Sequence, residues 1–324
     1  MQGTIPEELG ALSSLESLRL RKNLLTGKLP LTLSKLTSLT KLDLSENQFT
    51  GTIPIEFKSL QRLQNVNIAY NQFSGTLLRL ATTFWLQLNT LNISNNPNIE
   101  PDELLRVSGG IRVAEYRNSI TSLDISNCSF SSQLSWRIFL ERFPNMSEFY
   151  ADDNDIHGFL PSTNHFDDSI YENLQVISLN RNRFSGPIPW DVLSSNSLVH
   201  LGLSGNSFTG EIPEYVSSFK KLQYLDVSHN RIESSIPPTI GRLKRLETLE
   251  FQGNDLIGTI PSDIGNLENL KLLDLSQNRL QGSLPSQLGD CSELQRLIIH
   301  SNALTGSIPV QLSQLSNLGK YPYF

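Results

Sequence analysis

The sequence has only two cysteines, Cys128 and Cys291, among its 324 residues. In the repeat frame derived below they lie more than six repeats apart. That separation is about 30 Å at the spacing of stacked parallel strands, which is beyond the reach of a disulfide. Cysteine usage therefore gives no indication of a redox compartment.

Long apolar runs and clusters of one charge are also missing. No stretch approaches the roughly 18–20 apolar residues that cross a bilayer, and residues 1–6 lack the basic and apolar regions of a secretory signal. The 26 Lys and Arg against 32 Asp and Glu give a formal net charge of -6. Because phosphate binding needs clustered basic residues, we expect no nucleic-acid partner. Because no apolar run is long enough to cross a bilayer, we also expect no direct membrane insertion by this chain.

What the sequence does contain is a repeat of mostly 24 residues. Its pattern, L-x-x-L-x-L-x-x-N-x-L-x-G-x-I-P, is seen directly over residues 15–30. So regular a period indicates stacked repeat units, and we expect a single domain of about twelve repeats over residues 1–324. The Asn of the pattern recurs at Asn23, Asn47, Asn71, Asn96, Asn154, Asn182, Asn206, Asn230, Asn254, Asn278 and Asn302, and Cys128 takes this position once.

Each part of the repeat has a physical interpretation. The alternating apolar residues, as in Leu42-Asp43-Leu44, predict a short strand with leucines inward, and stacking the copies makes one parallel sheet. The Asn amide can donate to and accept from buried backbone groups of neighbouring coils, so losing one should cost about 1–3 kcal/mol. A large apolar residue two positions later predicts a core spine at Leu25, Phe49, Phe73, Phe130, Phe184, Phe208, Leu256, Leu280 and Leu304.

The Gly-x-[Ile/Leu]-Pro element recurs nine times, as in residues 27–30. Gly permits a tight bend and Pro fixes the backbone as the chain turns away from the sheet. Segments such as 262–267 then predict a short helical turn.

Together these motifs resemble the plant-type leucine-rich-repeat class, which occurs in ectodomains of receptor-like kinases and receptor-like proteins and in polygalacturonase-inhibiting proteins. The resemblance covers nearly the whole chain. It implies an α/β solenoid: a right-handed superhelix with one long parallel concave sheet, a short second sheet, and 3-10 or short helices on the convex side.

The pattern departs from this class in its middle and at its ends. The repeats over 97–173 are irregular, and the steps between Asn71 and Asn182, with Cys128 counted in the Asn position, are 25, 32, 26 and 28 residues. Residues 103–107 predict a longer helix on the convex side, and residues 161–168 predict a polar insertion. A functional role for this irregular stretch and sequence drift in a tolerant loop are given equal weight. The Cys-containing caps usual in the family are missing, so we expect a chain that is truncated or uncapped at both ends.

No constellation of residues predicts catalysis, a cofactor or a metal site. His200 and His229 fall on adjacent repeats, but roughly 16 Å separates them along the strand direction. No phosphate-binding loop, zinc-ligand spacing or nucleophile elbow occurs. We therefore expect a protein that is not an enzyme and has no cofactor.

The variable outward residues of each strand carry the functional information. Half of the repeats place Ser two residues after the middle outward position, and Asp152, Asn180 and Gln252 are among those that depart from this. Aromatic and Arg side chains are favoured at interface hot spots, and the alternative is an ordinary solvated face. The resulting candidate ligand-binding patch on the concave face comprises Tyr150, Asp152, Asn180, Arg181, His200, Tyr224, Asp226 and His229.

Three Asn-x-Ser/Thr sequons mark possible glycosylation sites, at Asn92, Asn127 and Asn145. Three are no excess over chance in so Asn- and Ser-rich a chain. Sugars on Asn92 and Asn127 would project from the concave face of the fourth and fifth repeats. Binding would then be displaced toward the candidate patch.

By resemblance, the leading functional hypothesis is the ligand-recognition ectodomain, or part of one, of a cell-surface receptor-like protein in signalling or defence. A protein or peptide would dock on the concave face, and the chain would be extracellular or at the cell surface. One alternative is a secreted inhibitor of cell-wall-degrading enzymes. Another is an intracellular scaffold or structural repeat protein.

Overall fold

The computed structural model describes residues 1–100, 119–131, 133, 139, 143–160, 173–193 and 197–319. The chain divides into two compact units, Met1–His157 and Gly158–Phe324, called unit 1 and unit 2. The prediction of one domain over 1–324 stays a prediction. The helix expected at 103–107 and the insertion at 161–168 lie outside the described residues.

Unit 1 has six three-residue strands that pair in parallel, and we call the sheet they form the main sheet of that unit. The middle residue of each strand is buried, and it pairs in register with the middle residue of its neighbour, as Leu42 does with Val66. This confirms the predicted inward leucines. The strands are Ser17–Arg19, Lys41–Asp43, Asn65–Asn67, Thr90–Asn92, Ser122–Asp124 and Glu148–Tyr150.

Unit 2 repeats the same arrangement in its own main sheet, again with parallel pairing. Its buried middle residues include Leu201, Leu225 and Leu249, which are fully covered. The predicted parallel-sheet repeat fold is therefore confirmed in both units. The strands are Val176–Ser178, His200–Gly202, Tyr224–Asp226, Thr248–Glu250, Leu272–Asp274 and Arg296–Ile298.

The repeated Asn ties each coil to the one before it. Asn71 Nδ2 donates to Leu44 O of the preceding coil at 3.0 Å and to Ile68 O and Ala69 O of its own coil at 3.1 and 3.2 Å. Its Oδ1 accepts from Phe49 N at 2.9 Å. We call the recurring Asn residues the ladder, and the same pattern is seen at Asn47, Asn96, Asn154, Asn230, Asn254 and Asn278.

Cys128 fills one ladder position with a thiol. Its Sγ lies 3.2 Å from Ile93 O in the preceding coil and 3.4 Å from Ser126 O in its own coil. These carbonyls correspond to two of the three that a ladder Asn contacts. A thiol is a weaker donor than an amide and supplies only one hydrogen, so this coil is held less strongly.

The predicted core spine is buried along both units. Phe49 and Phe73 stack with ring centroids 6.0 Å apart, and Phe184 and Phe208 do so at 6.2 Å. Leu304 is the exception because it is only half-buried. The described spine therefore provides the continuous apolar core that isolated coils lack.

Short strands after the ladder Asn form further parallel sheets, as the resemblance implied. One has five strands in unit 1, at Gln2–Gly3, Leu24–Gly27, Gln48–Thr52, Gln72–Gly75 and Asn98–Ile99. Another has His157–Phe159, Arg183–Pro187 and Ser207–Thr209. A third pairs Gln281–Gly282 with Ala303–Leu304.

A Pro begins nearly every helical turn that follows. Pro54, for example, is the N-cap of Ile55–Ser59 with φ -61°, so its ring holds the backbone close to its preferred angle. The 3-10 helices are Glu7–Ala11, Leu31–Lys35, Ile55–Ser59, Glu214–Ser218, Pro238–Arg242, Ser262–Asn266, Ser286–Asp290 and Val310–Gln314. Two short α-helices span Leu78–Phe84 and Trp190–Leu193. Across the described chain, no helix is both long and apolar enough to cross a membrane.

Replacing Asn71 by Ala should lower the free energy of unfolding by about 1–3 kcal/mol, because buried backbone groups of two coils lose their partner. Urea denaturation followed by circular dichroism measures the change. The matched control is Gln72→Ala, which alters the exposed neighbouring residue. Equal losses for the two variants would contradict the structural role of the ladder.

Both thiols should be unreactive in the folded protein. Cys128 and Cys291 are fully buried and unpaired, and burial raises the pKa of Cys128 to about 12 and that of Cys291 to about 11. Thiolate is the reactive form, so a disulfide reagent at pH 8 should label neither residue until urea unfolds the chain. Rapid labelling of the native protein would show that this part of the fold is wrong.

Candidate functional site

The candidate residues lie on the outer face of the main sheets, defined here as the side chains that alternate with the buried leucines and those that directly follow each strand. Tyr150 and Asp152 are in unit 1. Asn180, Arg181, His200, Tyr224, Asp226 and His229 are in unit 2. The six residues of unit 2 lie in or shortly after three successive strands, so register places several of them side by side.

In unit 1, Tyr150 ends its strand and pairs in register with Asp124. Burial, followed by the nearby carboxylates of Glu148, Asp124 and Asp152, raises the pKa of the Tyr150 phenol. The backbone N of Asp152 donates to Ser126 Oγ at 3.1 Å. Tyr150 therefore presents a neutral, half-buried phenol among acidic neighbours.

His200 and Tyr224 form the aromatic centre of the unit 2 group. They are register partners on adjacent strands, and their rings stack with centroids 4.1 Å apart and an interplanar angle of 1°. Burial lowers the pKa of His200 to about 4, so the imidazole is neutral at physiological pH. The stack fixes the Tyr224 ring, whose hydroxyl lies 3.3 Å from Asp226 Oδ2 and 3.4 Å from Glu250 Oε1.

Three carboxylates continue from this centre along consecutive strands. Asp226 pairs in register with Glu250, and Glu250 with Asp274; we call these three residues the acidic row. Burial, then the charges of Asp226 and Asp274, raise the pKa of Glu250 despite its hydrogen bonds from Gln252 and Tyr224. Asp226 was predicted from the sequence as a binding residue, but the row was not; its signal is an acidic residue at three successive middle outward positions.

The other candidates of unit 2 differ in their exposure and in their internal hydrogen bonds. Asn180 is used internally, because its Nδ2 donates to Ser178 Oγ at 3.0 Å and its Oδ1 accepts from Ser204 N at 2.8 Å. Arg181 and His229 are exposed and sit in left-handed backbone, with φ of 52° and 51°. Each directly precedes a ladder Asn, so the turn out of the strand determines their direction.

A groove in unit 1 was not singled out from the sequence. It has a volume of about 310 Å³ and is lined by Arg19, Lys41, Asp43, Asn65 and Asn67, among others. Asn65 Nδ2 donates to Thr90 Oγ1 at 2.8 Å, and Asp43 Oδ1 accepts from Ser45 N and Oγ at 3.1 and 2.6 Å. The groove combines two basic side chains with amide groups, in contrast to the acidic row.

The three sequons differ in their surroundings. Asn92 is half-buried, and its Oδ1 accepts from Ser94 N and Oγ at 2.9 and 2.8 Å. Asn127 is exposed and donates to Asn95 Oδ1 at 2.8 Å, whereas Asn145 lies exposed in a turn. Glycosylation at all three stays a prediction.

Over the described ranges, no group of three or more His, Cys, Asp or Glu side chains is arranged to hold a metal ion. The acidic row supplies hydrogen-bond acceptors, and the phenol of Tyr224 and the neutral amide of Gln252 lie beside it. Such an arrangement suits noncovalent recognition of a hydrogen-bond donor.

Family models with the description leucine-rich repeat match about half of the chain. One matches residues 13–73 and 196–256, and a second matches 173–194 and 269–291. These repeats typically mediate protein interactions and do not catalyse reactions. No curated protein matches the chain.

Solved structures of plant receptors are similar over nearly the whole chain. The plant peptide hormone receptor RGFR1 in complex with RGF2 is 28% identical, with a TM-score of 0.81, and the match covers 98% of this chain and 49% of that one. PEPR1 with AtPEP1 is 27% identical, with a TM-score of 0.78 and coverage of 98% and 46%. The ectodomain of the Arabidopsis receptor kinase HAESA with an IDA peptide hormone ligand is 28% identical, with a TM-score of 0.66 and coverage of 98% and 47%. The chain thus spans about half the length of these structures.

Protonation of His200 should be coupled to unfolding. The ring has a pKa of about 4 when folded against an ordinary 6.5, so the unfolded chain binds a proton in that window that the folded chain does not. The contribution of His200 to the free energy of unfolding therefore falls as pH drops from about 6.5 to 4.

NMR titration of the imidazole and urea denaturation at pH 7 and 4.5 test this coupling. His200→Phe keeps an aromatic ring beside Tyr224 and removes the proton site. The free energy of unfolding of this variant should decrease less between pH 7 and 4.5 than that of the wild type. An imidazole that titrates at or above 6.5 would refute the burial argument.

Proposed function

Because this chain belongs to the leucine-rich-repeat family, in its plant-type form, we propose that it is a ligand-recognition module that binds a peptide or protein on the outer sheet face. By resemblance this face is concave. The finer proposal is a cell-surface, extracellular role as the ectodomain, or part of one, of a receptor-like protein in signalling or defence.

The observation that carries the proposal is the contrast between the two sides of the main sheets. The inward side repeats buried apolar residues and, except at Cys128, the ladder Asn from coil to coil, whereas the outward side varies in charge and size, as Arg19, Tyr150 and Gly202 do at equivalent positions. In unit 2 it presents His200, Tyr224, Asp226 and Glu250 on three adjacent strands. A surface held by a fixed scaffold loses little conformational entropy when a ligand docks, which favours recognition.

The similar structures supply independent support. The RGFR1, PEPR1 and HAESA structures contain RGF2, AtPEP1 and an IDA peptide hormone respectively. Those ligands belong to those receptors, and a peptide ligand for this chain is our proposal. We propose Asn180, Arg181, His200, Tyr224, Asp226 and His229 as binding residues in unit 2, and Tyr150 and Asp152 as binding residues in unit 1.

A screen of the purified chain against an array of synthetic peptides about twelve residues long tests the proposal. We expect a subset of peptides to bind, and Tyr224→Ala to weaken their binding at least about tenfold, since buried aromatic residues dominate interface energies. Biolayer interferometry measures the affinities, and circular dichroism verifies that the variant is folded.

The matched control is Tyr215→Ala, which removes an exposed Tyr from the 3-10 helix Glu214–Ser218, away from the sheet. Its affinities should equal those of the wild type. The proposal fails if no peptide binds, or if the bound peptides are insensitive to Tyr224→Ala.

A further inference from the structure

We infer that the acidic row of unit 2, together with Tyr224 and Gln252, is a subsite for the guanidinium group of an arginine in the ligand. This inference rests on the proposed function and deepens it by naming the chemistry of one ligand residue. Four observations lead to it: the balance of hydrogen-bond donors, a buried acceptor without a partner, the absence of a counter-charge, and the strand register.

The row has more acceptors than donors. The single hydroxyl proton of Tyr224 is within reach of both Asp226 Oδ2 and Glu250 Oε1, at 3.3 and 3.4 Å, and it can be donated to only one of them at a time. Asp274 Oδ1 accepts from Ser276 N and Oγ, but no described hydrogen bond reaches its Oδ2. A donor-rich group is therefore what the row lacks.

Gln252 adds a second, independent sign of a missing donor. It follows Glu250 by two residues, and its Nε2 donates to Glu250 Oε2 at 3.2 Å. Its Oε1 is a buried side-chain oxygen that has no hydrogen-bond partner among the described residues. A buried acceptor left without a donor costs about 1–3 kcal/mol, so a ligand N–H at this point would recover that free energy.

No basic residue in the described part of the chain compensates the charge of the row. Only 7% of Asp226 and 9% of Asp274 is exposed, yet the described part of the chain forms no ion pair with Asp226, Glu250 or Asp274. Other carboxylates of the same repeats are paired: Lys271 Nζ lies 2.6 Å from Glu247, and Arg279 Nη2 lies 2.6 Å from Asp255. Buried carboxylates of like charge on adjacent strands destabilise the free protein and favour a cationic ligand.

The geometry favours a guanidinium over an ammonium group. Register places the carboxylates on successive strands, at about 4.8 Å per strand. A planar guanidinium with five N–H donors can reach two such carboxylates and a neutral acceptor together, whereas an ammonium group acts as a point charge with three donors.

Methyl NMR with Nα-acetyl-L-argininamide as the probe tests the inference directly. Ile298 is the register partner of Asp274, so its methyl resonances report on the row. We expect saturable shifts with the arginine probe and at least about tenfold weaker binding of its neutral citrulline analogue. Glu250→Gln, which keeps the size of the side chain and removes its charge, should weaken binding of the arginine probe at least about tenfold.

The control variant is Glu233→Gln, which removes the same charge from an exposed position of unit 2 and should leave probe binding unchanged. No saturable shift in the wild-type protein, or equal binding of the arginine and citrulline probes, overturns the inference. Equal loss of binding in the two variants also overturns it, because long-range charge alone would then explain the effect.

The peptide array separates this inference from the proposed function. If peptides bind through Tyr224 with no preference for arginine over citrulline, the proposed function stands and the subsite is wrong. If the probe binds at the row and no peptide binds the chain, the subsite stands and the proposed function is wrong.

Discussion

The hydrogen bonds of the ladder Asn are the interaction on which the rest of the structure depends. Strands of three residues offer few backbone hydrogen bonds, and the chain turns away from the sheet directly afterwards. One carboxamide, as at Asn71, shares its two N–H hydrogens among three carbonyls and accepts from one backbone N–H, with these partners drawn from two coils. Because the leucines of a single coil cannot cover one another, this link and the apolar core are formed together.

The ladder also separates stability from recognition. The groups that stack the coils point inward or lie in the turn, so the outward side chains contribute little to folding. Unit 2 can therefore hold Asp226, Glu250 and Asp274 on adjacent strands without a counter-charge from any described residue, at a cost in free energy that the repeated core offsets. Their rigid support is what makes such an arrangement useful for recognition, because it need not be ordered by the ligand.

The sequence was sufficient to predict the fold. The 24-residue period identified the coils, the alternation of leucines identified the inward side, and the recurring Asn and Pro positions located the turns. Counting repeats also placed candidate residues such as Asp226 and His200 on the outward side. These predictions succeeded because each rests on a feature repeated many times, so local exceptions such as Cys128 did not disturb them.

The details of the site were less predictable because they depend on side-chain geometry. Asn180 stood out by its departure from Ser, yet its amide is used to bind Ser178 and Ser204. The left-handed turn before each ladder Asn, which directs Arg181 and His229, is hidden because Lys, Glu, Asn, Arg and His all occupy it. The unpartnered Oε1 of Gln252 follows from one rotamer, which no pattern specifies.

The ladder also gives the stack of coils a chemical polarity. Each Asn reaches backward, donating to and accepting from the coil that precedes it, so the two faces of any coil are not equivalent. One face presents an amide oxygen that needs a donor, as Asn23 does when it accepts from the amino group of Met1 at 2.6 Å. The opposite face presents a backbone N–H and a carbonyl that need a carboxamide. Engineered end pieces for such a stack must therefore be of two different kinds, and a piece that seals one side cannot be turned around to seal the other.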